Sequence, residues 1–305
     1  MAESTPPTPA RLRVRTHVAQ PTVVARKEFT AAVRARSLQV LFVLLVVATG
    51  VVFRAVDGSA ESPATVAVEL LGLPVQMIVP IAAILAASAA VAGERESGSL
   101  RVLLGMPISR TEVVVGKFLG LFGALSVGLG VMFVAAVSVS FITYGTVPLG
   151  ALGGLIGSSL LLAGAFGGFA VGVSAAVATT RRSLAATVGG LFTLSFLWEP
   201  LVAGTYYAVA GTLPAEPVPA WLLFVERLNP LNAFAVAAGM LDAGAVYPLR
   251  VTFGLLRYDI GTILTGGGGT VPVYISDPVS LVVLLGWIVV PLAVGVARFR
   301  SVDLT

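Results

Sequence analysis

The sequence predicts an all-α integral membrane protein with about six transmembrane helices. Of its 305 residues, 57% are hydrophobic and only 11% are charged. A soluble domain carries roughly 25% charged residues, so the lipid bilayer is the natural solvent for this chain. Its apolar residues fall into six long runs, most of them at or above the roughly 20 residues that cross a membrane as a helix. Helices are favoured because a segment in lipid must satisfy its own backbone hydrogen bonds.

The first predicted span, 38–56, follows a polar and basic N-terminal segment. No small-residue cleavage site follows it, so we expect the run to remain as a spanning helix rather than a cleaved signal peptide. Several later runs exceed 25 residues, which predicts tilted helices or interfacial extensions. The other predicted spans are 66–92, 113–142, 149–178, 183–208 and 279–297.

The placement of Lys and Arg predicts that both termini are cytoplasmic. With that orientation, the cytoplasmic segments are 1–37, 93–117, 179–182 and the tail 298–305, and they hold most of the 19 basic residues. The net charge of +4 then belongs to loops that face anionic lipid, and no basic-aromatic patch indicates nucleic-acid binding. The basic residues predicted to lie outside are Arg54, Arg227, Arg250 and Arg257.

The N-terminal segment divides into two parts. Residues 1–21 begin with a proline-rich stretch and are predicted to be a disordered cytoplasmic tail. Residues 22–37 are predicted to form a connecting helix in the plane of the inner membrane surface. In that arrangement Lys27 lies on the polar side, while Val24 and Phe29 face lipid.

The connection 209–278 between the fifth and sixth spans is long and rich in proline, and it contains four consecutive glycines. Such residues predict turns and short pieces rather than one helix. Residues 233–241 form an apolar run that is too short to span, which is typical of an interfacial or re-entrant helix. A small extracytoplasmic cap is the alternative, and the sequence favours neither.

Small residues recur at four-residue spacing in the third and fourth spans. Glycine faces allow close helix packing in lipid, where little hydrophobic force acts between helices. They indicate packing within one chain or, alternatively, part of a homodimer seam. The residues are Gly116 and Gly120, then Gly153 and Gly157, then Gly164, Gly168 and Gly172.

A charged segment, 93–112, separates the second and third apolar runs. By itself the triplet Glu94, Arg95 and Glu96 indicates a solvated loop whose charges fix the topology. Its surroundings favour a docking helix instead. Leu100, Leu103 and Leu104 share one helical face and Pro107 ends that helix, while Ser109 and Glu112 form a capping box for the next one.

This segment resembles the coupling helix in the permease subunit of type-2 ABC exporters, and the layout is similar to multi-spanning permeases of the NosY kind. The resemblance implies a homodimer in the plasma membrane of a prokaryote, working with a separate ATP-binding subunit. That partner would bind ATP and Mg²⁺, while this chain binds no cofactor and is not an enzyme. The implied docking residues are Glu94, Arg95, Glu96, Gly98, Leu100, Leu103, Leu104, Pro107, Ser109 and Arg110.

Three polar residues within the spans are candidates for a transport pathway. Glu69 and Glu199 are acidic residues near the outer ends of their spans, where an interfacial anchor is the alternative. Gln76 lies between Pro74 and Pro80, where ordinary kinked packing is the alternative.

Other classes of function have less support in the sequence. No cysteine is present, the single His17 lies in the polar N-terminal segment, and no nucleotide-binding glycine-lysine loop or catalytic dyad is found. A non-transporting scaffold or maturation factor, whose long outer loop holds an extracytoplasmic partner, is the main alternative. A channel or secondary carrier ranks third, because polar residues are scarce along the spans.

Overall fold

The computed structural model describes residues 20–99, 108–214, 219–255 and 272–301. Across these residues every regular element is a helix, and six helices are long and apolar enough to cross a membrane. The predicted all-α membrane class and the number of spans are therefore confirmed. Residues 1–19 of the predicted tail lie outside the described residues, and the orientation of the termini stays a prediction.

Helices in the first half of the chain follow the apolar runs, and the N-terminal connecting helix is a separate element. The second predicted span begins three residues early, at a proline, and ends in a turn before a further short helix. The helices are α1 (Gln20–Arg34), α2 (Arg36–Ala55), α3 (Pro63–Ala87), α4 (Ala92–Glu96), α5 (Arg110–Tyr144) and α6 (Leu149–Ala176).

In the second half of the chain, the fifth span is irregular because a π-helical turn, Thr193–Leu197, interrupts it. The described part of the long connection before the last span contains two short helices and a 3-10 turn. The elements are α7 (Thr180–Phe192), α8 (Trp198–Ala210), α9 (Ala220–Arg227), α10 (Pro230–Met240), the 3-10 turn Val273–Ile275 and α11 (Pro278–Arg300).

The third span, α5, is longer than the predicted 113–142 because local signals extend it at both ends. Its first turn is closed by a capping box at Ser109, and Gly145 ends it in the left-handed conformation with φ of 69°. With 35 residues, α5 is about 52 Å long, well beyond the roughly 30 Å of a hydrocarbon core. Part of this helix therefore extends out of the membrane.

Helix α1 packs along the first part of α5, so the prediction that Val24 faces lipid is wrong. Val24 is buried, and a Cβ atom on Gly116 would lie only 2.8 Å from it. Farther along, a Cβ on Gly120 would lie 2.4 Å from the Ala25 carbonyl oxygen, and Gly123 faces Phe29. Glycines on α5 thus form a groove that receives the apolar side of α1.

Helix α6 forms the centre of the bundle and packs closely against α11. Cβ atoms at Gly168 and Gly172 would lie 2.6 Å from the Ile288 carbonyl oxygen and 2.2 Å from that of Pro291. Gly295 on α11 faces Gly172 in return. Most of the predicted glycine row thus serves packing within one chain, which is the first of the two alternatives.

Helix α10 lies beside the first half of α6 and is almost completely buried. Ala233 packs in one cluster with Ala165, which lies about 24 Å along α6 from its first residue. At the other end of α10, the Leu241 carbonyl lies against Gly154 near the start of α6. We interpret α10 as a re-entrant helix, since a cap would lie beyond the ends of the spans.

We expect the α6–α11 contact to tolerate no side chain at Gly172. A Gly172→Val variant places atoms inside the contact with Pro291, and overpacking of this kind costs about 1–3 kcal/mol. Gly130→Val is the matched control, because nothing lies within 4 Å of a Cβ there among the described residues. The thermal midpoint of the purified chain in detergent should fall for the first variant only. Equal midpoints for both variants would contradict the packing described.

Candidate functional site

The predicted docking segment, 93–112, is described at its two ends. Leu100, Leu103, Leu104 and Pro107 lie outside the described residues, so the apolar face of the segment stays a prediction. At its first end the chain turns at Gly98, whose φ of 74° lies in the left-handed region that favours glycine.

The capping box at the far end of the segment is confirmed. The Ser109 hydroxyl accepts a hydrogen bond from the Glu112 amide at 3.2 Å, and the Glu112 carboxylate accepts one from the Ser109 amide at 2.7 Å. Both bonds satisfy amides that the first turn of a helix leaves without partners. The start of α5, and with it the end of the docking segment, is thereby fixed.

A network of four charges joins α4 to α1 and α5. The Lys117 ammonium lies 2.9 Å from the Glu94 carboxylate and 2.7 Å from that of Glu28, and its side chain is only 2% exposed. Lys27 lies 2.9 Å from the same Glu94 oxygen. This hydrogen bond raises the pKa of Lys27 above its ordinary value. The four charges sum to zero, which permits burial of the Lys117 ammonium.

Arg95 joins α4 to the end of α6. Its guanidinium donates to the carbonyl oxygens of Val177 at 2.9 Å and Ala175 at 3.2 Å. The last carbonyls of a helix have no partner within the helix and carry partial negative charge, so a cation is stabilising there. A shift of α4 would therefore carry the end of α6 with it.

The buried Ser174 makes a second link between α6 and the turn that precedes α4. Its hydroxyl accepts hydrogen bonds from the amides of Val91 and Ala92, both at 3.1 Å, and donates to the Ser88 carbonyl at 3.0 Å. One side chain of α6 thus binds the backbone on both sides of the break between α3 and α4. The sequence analysis did not identify this residue, because a lone serine in a spanning helix carries no motif.

Phe299, near the end of α11, lies between two arginines. The guanidinium carbons of Arg95 and Arg110 are each 5.4 Å from the centre of its ring, within the range of cation–π interactions. Arg110 also donates to the carbonyl oxygens of Phe299 at 2.6 Å and Arg300 at 3.0 Å. The last span is therefore bound to both ends of the docking segment. No periodicity or motif in the sequence marks Phe299.

Glu96 completes the set by accepting a hydrogen bond from the Thr180 hydroxyl at 2.6 Å, at the start of α7. Glu94, Arg95 and Glu96 thus contact the helices of this chain itself, and each contacts a different group of helices. We call these three residues, together with Lys117, Ser174 and Phe299, the coupling cluster. The geometry allows a displacement of α4 to act on the ends of several spans at once.

The three candidate pathway residues surround one extended segment, 243–255. Gln76 donates to the Tyr247 carbonyl at 2.8 Å and accepts from the Leu249 amide at 2.9 Å. The buried Glu199 carboxylate accepts from the amides of Phe253 and Leu255.

Glu69 lies against Gly244, where φ is 79° and a Cβ atom would meet the carboxylate at 2.1 Å. The segment also bonds to the π-helical turn, through the Val251 amide and the Ser195 carbonyl. The polar atoms of Gln76 and Glu199 are therefore occupied by the backbone of this chain. Sequence reasoning missed these hydrogen bonds because the partner groups are backbone atoms about 50 to 170 residues away along the chain.

Within the residues that the structure describes, no group of three or more His, Cys, Asp or Glu side chains lies close enough to hold a metal ion. The prediction that this chain binds no cofactor stays a prediction.

Comparison with known proteins places the chain in a transporter family. Residues 22–304 match the family described as "ABC-2 family transporter protein". The chain is similar to the probable ABC transporter permease protein NosY of Pseudomonas aeruginosa, with 32% identity over 241 residues that cover 74% of this chain and 85% of that protein. It is also similar to the probable ABC transporter permease protein NosY of Stutzerimonas stutzeri, with 30% identity over 246 residues, 74% of this chain and 87% of that protein.

We expect the buried ammonium of Lys117 to be essential for the stability of the chain. Replacement by Met leaves the carboxylates of Glu28 and Glu94 with only the exposed Lys27 as a shared cation, and breaking a buried pair in this way costs about 3–5 kcal/mol. Lys27→Met removes a lysine from the same network at a position whose side chain is 62% exposed, where an ion pair contributes at most about 1 kcal/mol.

Thermal unfolding of both variants in detergent micelles measures the difference. A large loss for Lys117→Met and a small one for Lys27→Met is the expected result. Similar losses for the two variants would show that burial of the ammonium does not determine its contribution.

Proposed function

The chain belongs to the ABC-2 family of transporter proteins, and from this membership we propose that it couples ATP hydrolysis by a separate ATP-binding subunit to substrate export. The family and its six apolar helices make it a multi-pass protein of the plasma membrane. In this proposal, the partner subunit holds ATP and Mg²⁺, and two copies of the chain form the permease.

The coupling cluster is the observation that supports this function. A permease driven from outside the membrane needs a cytoplasmic element whose movement reaches the spanning helices. Helix α4 meets this need, because Glu94 binds α1 and α5, Arg95 binds α6, and Glu96 binds α7. Phe299 adds α11 through its contacts with Arg95 and Arg110. Each contact involves a charged group, in a hydrogen bond or ion pair or, at Phe299, in a cation–π interaction, so we expect a displacement of α4 to be transmitted to these helices.

Seven of the ten docking residues divide into two groups in this proposal. Leu100, Leu103 and Leu104, which the sequence predicts to share one helical face, are proposed to meet the ATP-binding subunit, and Pro107 is predicted to end that helix. Glu94, Arg95 and Glu96 act behind it, because their charged groups already bind the helices of this chain. Mutation of the first group is expected to prevent binding, and mutation of the second to uncouple movement from binding.

The alternative is a non-transporting scaffold that holds an extracytoplasmic partner on the element 209–278. The element is well anchored, since Arg227 is buried and donates to the Ile275 carbonyl just before the last span. A scaffold of this kind needs no link between the cytoplasmic segment and the spans. The coupling cluster therefore favours the transporter.

Co-purification with the ATP-binding subunit tests the docking surface. A Leu103→Asp and Leu104→Asp double variant is expected to lose that subunit, because two charges replace the apolar contact. The wild-type chain should retain it in stoichiometric amount. A wild-type chain that purifies alone, or only with an extracytoplasmic protein, would favour the scaffold.

Phe299→Leu separates coupling from docking. The variant keeps an apolar residue but loses the ring between Arg95 and Arg110, which is worth about 0.5–2 kcal/mol per cation–π contact. We expect the ATP-binding subunit to remain bound while its permease-stimulated ATP hydrolysis falls, by roughly two- to thirty-fold. Phe141→Leu, at an exposed position on α5, is the matched control and should change neither quantity. Unchanged stimulated hydrolysis in Phe299→Leu would contradict a role in coupling.

A further inference from the structure

A buried ion pair joins the re-entrant part of the chain to the extended segment 243–255. The Glu226 side chain, at the end of α9, has no exposed surface, and the Arg250 side chain is 3% exposed. Their closest charged atoms, Glu226 Oε2 and Arg250 Nη1, lie 2.6 Å apart. The side-chain amide of Asn232, on α10, donates to the same carboxylate oxygen at 3.0 Å. One carboxylate oxygen thus connects α9, α10 and the extended segment.

Each of these three side chains carries one further buried polar atom. Oε1 of Glu226, Oδ1 of Asn232 and Nε of Arg250 are all buried, and none has a hydrogen-bond partner among the described residues. A buried ion pair is stable only when additional hydrogen bonds satisfy its remaining atoms. The ionised form of Glu226 is therefore held chiefly by Arg250 and Asn232.

Charged groups reach Glu226 from the elements around it. Arg250 comes from the extended segment, and Glu199, on α8, adds a second negative charge. The next residue on its own helix, Arg227, pairs with Asp277 in front of α11 at 3.4 Å. Burial raises the pKa of the Glu226 carboxyl above its ordinary value, and Glu199 acts in the same direction, whereas Arg250 lowers it.

We propose that Glu226 is a proton-binding site on the extracytoplasmic side of the permease. Its protonation state controls whether segment 243–255, which we call the latch, is held in the bundle. With Glu226 ionised, Arg250 is held in the bundle and segment 243–255 is fixed against α3 and α8. When Glu226 takes up a proton, Arg250 loses its counterion in a buried place, and the free energy of its burial becomes unfavourable. Arg250 then leaves, and the segment separates from Gln76 and Glu199.

The direction of the pH effect follows from linkage. In the proposed released state, Glu226 stays packed against Asn232 and keeps the burial that raises its pKa, while the loss of Arg250 removes a cation that lowers it. The pKa of Glu226 is therefore higher in the released state than in the latched state. The proton therefore binds more tightly to the released state, and a fall in pH shifts the population towards release. Because a single proton is involved, the ratio of released to latched molecules changes at most about tenfold per pH unit, between the two pKa values.

Cysteine accessibility measures this equilibrium directly, because the chain contains no natural cysteine. Val246, in the latched segment, is 1% exposed and packs on Gly72, so Val246→Cys reports release. Ser59→Cys, in the exposed loop between α2 and α3, corrects for the effect of pH on thiol reactivity. The full-length chain in lipid nanodiscs is treated with a charged methanethiosulfonate reagent from about pH 8 to about pH 5.

The expected result is a ratio of the two labelling rates, Val246→Cys over Ser59→Cys, that rises as the pH falls. A Glu226→Gln substitution, which mimics the protonated form, should give a high ratio at every pH. Glu61→Gln, which removes an exposed carboxylate near Ser59, should leave the pH dependence unchanged. A flat ratio in the chain with native Glu226, or a pH dependence that persists in Glu226→Gln, would overturn the proposal. The first of these outcomes needs no Glu226 variant, so the test remains valid if Glu226→Gln fails to fold.

This inference deepens the proposed function by adding a second input, from the outer face, to a permease driven by ATP from the inner face. The labelling experiment contains no ATP-binding subunit. The latch could therefore fail while the transport function stands, or be present in a scaffold that does not transport.

Discussion

The buried ammonium of Lys117 is the interaction on which the cytoplasmic half of the molecule depends. It lies between the carboxylates of Glu28 and Glu94, and so fixes α1, α4 and α5 relative to one another. A buried charge needs its partners at short distance, since each uncompensated ion costs several kcal/mol. The contacts of Arg95 and Glu96 with α6 and α7 follow from the position that this network gives to α4.

Backbone groups impose a second constraint, on the outer half of the molecule. Segment 243–255 lies among spanning helices without forming a helix, so its amides and carbonyls need other partners. Gln76 and Glu199 supply them, and the π-helical turn supplies the Ser195 carbonyl. Polar residues within the spans thus stabilise an irregular segment. A role of the same residues in transport would require that segment to move.

The sequence predicted features that depend on composition and on neighbouring residues. Six spans follow from the lengths of the apolar runs, and the capping box follows from Ser109 and Glu112 alone. Other contacts could not be predicted because they join residues that are far apart in the sequence. Nothing near Val24 shows that glycines of α5 receive it, and nothing near Phe299 shows that two arginines enclose it. For the same reason, nothing near Glu94 in the sequence shows that its carboxylate binds Lys117.

In the proposed function, the docking segment and the ends of the spans move as one unit. A distance measurement between spin labels at the exposed positions 97 and 298 tests it most directly, with one labelled copy in each complex with the ATP-binding subunit. We expect the same distance without nucleotide and with a non-hydrolysable ATP analogue, while a label at 97 moves relative to one at 59. A change in the 97–298 distance on binding the analogue would show that the segment moves independently of the last span, and would contradict movement as one unit.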